Sequence, residues 1–376
     1  MSGQPTTIYF KVELTGIGKY AGVEGIETYP PAVVMLLDVS GSMAGEKIER
    51  AKEAAKLLLD ILPVGSFVSL YTFENSVRHV GKCESLDDKC KDYLKSEIDR
   101  VGAYGGTNMY GALEKALNDF KRLTKLERPL RLFLITDGNP TVGVTIESEF
   151  YRISSDICRY GVEEVLIGIG ADYNENLLAG MLESCGRGVL EHVAKPKDIP
   201  EITSRYAEKA SKVVARSVKL RIRKLPRDRV EVTTDLKTRA SNEEVVVDVG
   251  DLSLDEVKKI YGKFVLVPRG VKGKYRIGAV EALIDDKVVA SKELFIEYTD
   301  DMEVIRSKSK PEIAWEAMGL EALKRGDYAA LRTTLRHVGD EALRKTLRRA
   351  VEAAESGDKK TLKSVRSKTL RGTSEG

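Results

Sequence analysis

The chain has 376 residues, 32% of them charged, with 61 Lys+Arg against 58 Asp+Glu and a formal net charge of +3. That length buries a substantial core and divides into two or three domains, while so even a charge balance argues against a dedicated nucleic-acid binder, which needs a strong basic bias. No run of about 18 apolar residues occurs, and Met1 to Ile8 show no basic segment leading into an apolar one, so a soluble, cytoplasmic protein without a membrane partner is expected.

In chain order, residues 7–16 alternate apolar and polar side chains (Tyr9, Lys11, Val12, Glu13, Leu14) as a strand that needs a sheet to join, and the Gly- and Pro-bearing residues 20–31 read as a linker. Val33 to Leu37 are consecutive apolar residues, the pattern of a strand buried on both faces, and they run straight into Asp38-Val39-Ser40-Gly41-Ser42. From Glu46 the spacing of Ile48, Ala51, Ala55, Leu58 and Leu62 predicts a helix over 46–62. The alternation continues with strands at 67–73 and near 77–80, helices at 89–100 and 109–124, a strand at 131–136 and a helix at 147–159. A strand at 164–169, a helix at 174–184, a short strand near 188–193 and a helix at 198–214 follow. Such a pattern predicts an α/β fold, a mostly parallel, doubly wound sheet with helices on both faces.

Beyond residue 214 the grammar changes. Residues 218–223 alternate strictly, as do 230–233 and, more loosely, 244–249, and with 264–267, 275–284 and 288–298 they predict an antiparallel β-sandwich with one solvated face. The strand at 7–16 fits its edge. From Pro311 the pattern is helical, and the Gly-Asp pairs at 326–327 and 357–358 each read as a helix stop followed by an N-cap. The expected organisation is residues 1–29 as the N-terminal strand of the sandwich, 30–213 as the α/β domain, 214–300 as the sandwich, and 301–376 as a helical C-terminal region. Residues 302–376 carry 17 Lys+Arg against 11 Asp+Glu, and residues 363–376, with few apolar side chains, are expected to form a mobile tail. Cys83, Cys90, Cys158 and Cys185 fit no zinc spacing and read as buried or incidental thiols. Cys83 and Cys90 could close a loop if the source were a hyperthermophile, whose Glu-, Lys- and Arg-rich surfaces this composition resembles.

Chemistry is concentrated where strands end. Asp38, Ser40 and Ser42 lie between a strand's C-terminal end and a helix N-terminus, where open α/β sheets hold ligands. Gly105-Gly106-Thr107-Asn108 places Thr107 at another helix entrance, and Leu132 to Gly138 form a second buried strand ending in Asp137. Two carboxylates and three hydroxyls are all oxygen donors, the chemistry of a hard cation such as Mg²⁺ rather than zinc. Together, Asp38-x-Ser40-x-Ser42, Thr107 within Gly-Gly-Thr-Asn and Asp137 within Thr-Asp-Gly resemble the metal-ion-dependent adhesion site of von Willebrand factor type A (vWA) domains, over roughly residues 30–213. The resemblance implies that Ser40, Ser42 and Thr107 contact Mg²⁺ or Mn²⁺, that Asp38 and Asp137 act directly or through water, and that one coordination position stays open for an Asp or Glu of a partner protein. It also implies that the type A domain is inserted in the sandwich.

The expected function is therefore non-enzymatic: an intracellular, metal-dependent interaction module. Two alternatives stand beside it. One is a Mg²⁺-dependent phosphohydrolase with Asp38 as nucleophile, although the second aspartate such enzymes place two residues on is here Ser40. The other is an adaptor for an AAA+ ATPase. The chain looks closest to stand-alone archaeal vWA proteins, some of which pair with forkhead-associated (FHA) proteins, readers of phosphothreonine, in modules that regulate motility. This resemblance makes Thr369 and Thr373 of the basic tail candidate phosphorylation sites through which an FHA partner docks.

Overall fold

The computed structural model describes residues 5–17, 29–170, 173–268 and 271–372. Residues 20–28 of the expected linker lie outside them. The chain divides into one unit of residues 16–214 with 253–255, and another of residues 1–15, 215–252 and 256–376. The strand β1 (Thr6–Thr15) belongs to the latter.

The first unit runs β2 (Ala32–Asp38), α1 (Glu46–Ile61), β3 (Phe67–Phe73), β4 (Val77–Cys83), α2 (Asp88–Asp99), α3 (Met109–Leu123), β5 (Leu130–Thr136), α4 (Glu147–Cys158), β6 (Val162–Ile169), α5 (Glu175–Cys185), β7 (Gly188–Val193) and α6 (Ile199–Ser211). Its sheet has the order β4-β3-β2-β5-β6-β7, parallel throughout except for the antiparallel edge strand β4. Period-two alternation divides β2 between two cores. Val33, Met35 and Leu37 pack with Ile48, Ala51, Ala55 and Leu58 of α1, whereas Ala32, Val34 and Leu36 pack with Leu113, Ala116 and Phe120 of α3. β5 is split the same way, Phe133 and Ile135 to one side, Leu132 and Leu134 to the other. At about 1.5–3 kcal/mol for each large apolar side chain buried, this double core holds the sheet without help from a ligand. Strand order reverses around β2, with β3 on one side and β5 on the other, so the loops after β2 and β5 open at a topological switch point.

The cysteines are not thiols. Cys83 pairs with Cys90, tying the end of β4 to the first turn of α2, and Cys158 pairs with Cys185, tying the C-terminal ends of α4 and α5. Nothing local in the sequence marks the second pair, whose members stand 27 residues apart and meet only because α4 and α5 pack together.

The second unit adds β8 (Val213–Lys224), β9 (Arg229–Thr233), β10 (Thr238–Ala240), β11 (Glu244–Ser253), β12 (Val257–Leu266), β13 (Gly273–Ile284), β14 (Lys287–Tyr298), α7 (Met302–Lys308), α8 (Pro311–Arg325), α9 (Tyr328–Thr334), α10 (Glu341–Ser356) and α11 (Lys359–Leu370). β1 pairs antiparallel with β12, Ile8 opposite Phe264, in the sheet β1-β12-β9, which faces the sheet β10-β11-β8-β13-β14. Ile8, Phe10, Val12 and Leu14 point into the sandwich with Val218, Leu220, Ile222, Ile260 and Phe264.

The solvated face expected for the sandwich is covered on the three-stranded sheet. Tyr9 and Tyr261 pack with Leu320, Leu323, Leu347, Val365 and Leu370 of the helices, so the sandwich and the helical region, separate in the sequence reading, form one unit. Polar side chains on that face are paired rather than hydrated: Lys263 with Glu321 at 2.9 Å, Lys259 with Asp340, and Tyr261 with Glu316 at 3.1 Å. Burial and the neighbouring Glu316 hold the Tyr261 phenol far above its usual range. The Gly-Asp turns are as read: Gly326 and Gly357 end their helices at φ 73°, and Asp327 and Asp358 cap the next helices at 3.0 Å from the backbone nitrogens of Ala330 and Thr361.

The mobile tail is also corrected. α11 runs to Leu370 and buries Ser364, Val365, Lys368 and Leu370, while Leu370 O accepts from Thr234 Oγ1 at 2.6 Å and from Asp235 N at 3.0 Å. Apolar residues there are few, but they are the ones that seat the helix.

Two outcomes follow from this packing. Truncation after Ser364 removes Val365 and Leu370 from the core and is expected to destabilise the second unit by about 3–5 kcal/mol, seen as an earlier thermal transition. Opening the Cys158–Cys185 loop with a double Cys→Ser substitution is expected to lower unfolding free energy in urea by about 3.5 kcal/mol, against about 2.4 for Cys83–Cys90.

Candidate metal centre

Asp38 ends β2 with no exposed surface. Its Oδ1 accepts from Ser40 N at 2.9 Å and its Oδ2 from Thr136 Oγ1 at 2.5 Å, so the carboxylate is held from both sides. A 3-10 turn, Gly41–Met43, carries the loop onward, and the buried Met43 anchors it. Gly41 N donates to Gly105 O at 3.0 Å, linking this loop to the one that precedes α3. Gly105 has φ +75°, a conformation that favours glycine. Thr107 is fixed through its backbone: its N donates to Thr141 Oγ1 at 2.9 Å and its O accepts from Thr141 N at 3.1 Å. Asn108 then caps α3, its Oδ1 accepting from Gly111 N at 3.1 Å.

The side-chain oxygens converge. Ser40 Oγ and Ser42 Oγ lie 3.1 Å apart, and Ser42 Oγ donates to Asp137 Oδ1 at 2.8 Å. A Cβ placed on Gly138 would stand 3.4 Å from Thr107 Oγ1 and 3.7 Å from Asp38 Oδ2, so those two groups border one small space that glycine leaves open. Asp38, Ser40, Thr107 and Asp137 are buried and Ser42 is exposed. The cluster thus opens outward on the Ser42 side.

Sequence reasoning missed two participants. Thr136 holds Asp38 through its hydroxyl; it was visible only as part of Thr-Asp-Gly. Lys47 pairs through Nζ with Asp137 Oδ2 and reaches Ser42 O at 3.3 Å. The available signal was a lysine in the first turn of a helix, against the dipole.

Burial pushes the Asp38 carboxyl above its ordinary 3.8, while hydrogen bonds from Ser40 and Thr136 pull it down and the nearby Asp137 pushes it further up. Such a desolvated carboxylate, beside a second one and three hydroxyls, suits a hard dication, whose charge offsets the desolvation. Among the described residues, Cys158, Glu164 and Cys185 also lie close enough to hold an ion, but their sulfurs are joined to each other.

The candidate phosphorylation residues lie elsewhere. Thr369 is half-buried in α11, its Oγ1 donating to Val365 O at 2.7 Å, and Thr373 is outside the described residues. Among the described residues no helix is long and apolar enough to cross a membrane.

A carboxyl raised on folding binds its proton more tightly in the folded than in the unfolded chain. Without a metal, stability therefore falls as pH rises from the ordinary value through the raised one. Asp38→Asn is expected to raise the melting temperature of EDTA-treated protein at pH 7 by about 2–4 °C and to abolish any further rise on adding Mg²⁺.

Comparison with known proteins bears on the fold. Residues 33–139 match the model of the von Willebrand factor type A domain. Inter-alpha-trypsin inhibitor heavy chain H2 of Sus scrofa is 27% identical over 202 residues, 52% of this chain and 21% of its own length, and heavy chain H1 of the same animal is 30% identical over 165 residues, covering 41% and 18%. The chain thus spans about a fifth of the length of these relatives. Two solved structures resemble nearly the whole chain. A von Willebrand factor type A protein from Catenulispora acidiphila has a TM-score of 0.68 at 18% identity, over 97% of this chain and 91% of its own. The ArnB paralog VWA2 from Sulfolobus acidocaldarius has 0.66 at 20% identity, over 100% and 96%. At such identities the structures show the fold. Residues 33–139 carry the sequence signature of a von Willebrand factor type A domain, and the chain shares the fold of these two structures.

Proposed function

We propose that the protein is a metal-dependent interaction module that captures an Asp or Glu of a partner protein. The observation that supports this most is the convergence of Asp38, Ser40, Ser42, Thr107 and Asp137 at a switch point, buried except on the Ser42 side. These residues would hold Mg²⁺ or Mn²⁺. The ion would supply an electrophilic point for a carboxylate, and the surrounding loops would select the partner. Tyr104, 61% exposed, sits on this rim with its backbone N donating to Val39 O at 2.8 Å, and exposed aromatics are frequent anchors of protein interfaces.

The phosphohydrolase alternative asks Asp38 to attack a phosphorus atom. Both its oxygens accept hydrogen bonds from the protein and the residue is fully buried, which suits an orienting carboxylate better than a nucleophile. An adaptor role beside an AAA+ ATPase would use the same surface as any other partner. FHA docking on a phosphorylated Thr369 would require the last turn of α11 to open, and it rests on resemblance to archaeal vWA proteins.

Calorimetric titration with Mg²⁺ and Mn²⁺ is expected to show one site in the wild type and none in Asp38→Ala or Thr107→Ala, with the fold intact in EDTA. Equal affinity in wild type and variants would overturn the assignment. Phosphatase turnover in Mg²⁺, abolished by Asp38→Asn, would instead favour the enzyme.

A further inference from the structure

We infer that Lys47 is a built-in counter-cation of the metal centre: it cancels the charge of Asp137, leaves the loaded site with an excess positive charge, and so makes an anionic partner group the ligand the site demands. The inference rests on the metal reading above.

Lys47 is the second residue of α1, directly after Gly45 and Glu46. A cation there faces the positive end of the helix dipole, where Glu46 and Glu49 are the favoured kind of neighbour. A local preference broken in this way needs compensation from elsewhere, and the compensation is Asp137. The other lysines of α1 behave differently: Lys52 pairs with Glu49 on its own helix and Lys56 with Asp99. The Lys47 side chain instead leaves the acids of its own helix and crosses to the carboxylate at the end of β5, keeping about a third of its surface in solvent while the Asp137 side chain has none.

The pairing fixes what Asp137 can do. Its Oδ1 accepts from Ser42 and its Oδ2 from Lys47, so both oxygens are engaged within the protein. Two carboxylates alone would neutralise a divalent ion. With Lys47 counted, the protein contributes a net charge of minus one around that ion, and the loaded centre retains plus one. A neutral centre binds its metal tightly and has little need of a further anion, whereas a cationic one binds metal more weakly and attracts a carboxylate. Lys47 therefore trades metal affinity for partner affinity, and the two become linked: each stabilises the binding of the other.

The test replaces Lys47 with methionine, close in length and uncharged, and with arginine, which keeps the charge. Free Mn²⁺ is followed by electron paramagnetic resonance, and acetate, the carboxylate probe, by water-proton relaxation of the bound Mn²⁺. Lys47→Met is expected to bind Mn²⁺ at least about ten-fold more tightly, the order expected when a like charge is removed from beside an ion in a partly buried site. Its Mn²⁺-loaded form is expected to bind acetate correspondingly more weakly. Lys47→Arg is expected to keep both affinities near wild type. Lys56→Met, which removes the same charge about 13 Å along the helix, is expected to change neither. Unchanged or weaker Mn²⁺ binding in a folded Lys47→Met, or an arginine variant behaving like the methionine one, overturns the inference and leaves the metal site standing. Absence of Mn²⁺ binding in wild type and variants alike overturns the metal reading itself.

Discussion

The strand β2 ends in a carboxylate that water does not reach, and much of the first unit is arranged around that residue. An ionised carboxylate out of solvent is stable only when hydrogen-bonded or paired with positive charge. Asp38 receives the backbone of its own loop on one oxygen and the Thr136 hydroxyl of the neighbouring strand on the other. Those bonds require β2 and β5 to be adjacent and parallel with aligned ends, which is the reversal of strand order at the centre of the sheet. The topology and the site are thus one constraint seen at two scales: apolar side chains place the strands, and the strands place the oxygens.

A second consequence is that the candidate centre is rigid where it would hold an ion and open where it would meet a partner. Thr107 is clamped by Thr141, and Asp38 by Ser40 and Thr136, whereas Ser42 and Tyr104 face solvent. Preorganised donors lose little entropy on binding, and loops at the rim can vary without disturbing them.

Much of this was legible in the sequence, for definite reasons. Val33 to Leu37 and Leu132 to Ile135 are apolar on both faces because both faces are covered, and Asp38 and Asp137 stand out as the polar residues that end them. Asp38, Ser40, Ser42, Thr107 and Asp137 belong to short motifs at strand and helix ends, so their proximity follows from the α/β pattern. Lys47 was not legible, because a lysine on an amphipathic helix has solvent as its default partner and only the fold brings Asp137 to it. The helical region misled for the same reason. Lys259 and Lys263 alternate with apolar residues as they would on a hydrated strand, yet they face Asp340 and Glu321 of helices many residues later. Alternation reports which face is polar, not what covers it. The tail was misjudged because a few well-placed residues, Val365 and Leu370 among them, seat a helix whose average composition is hydrophilic.

The pairing of β1 with β12 has a bearing on how the chain comes into being. Ile8 and Phe264 are neighbours in the finished sheet but are synthesised far apart in time, with the whole first unit between them. On the ribosome the first unit can close around its own two cores while β1, half of its side chains apolar, has no strand to join. Only after β12 emerges can the three-stranded sheet assemble, and only after α11 can its outer face be covered. The second unit is consequently a late-folding body with high contact order. During synthesis its first strand is an unpaired edge, the segment of the nascent chain most in need of protection by a chaperone.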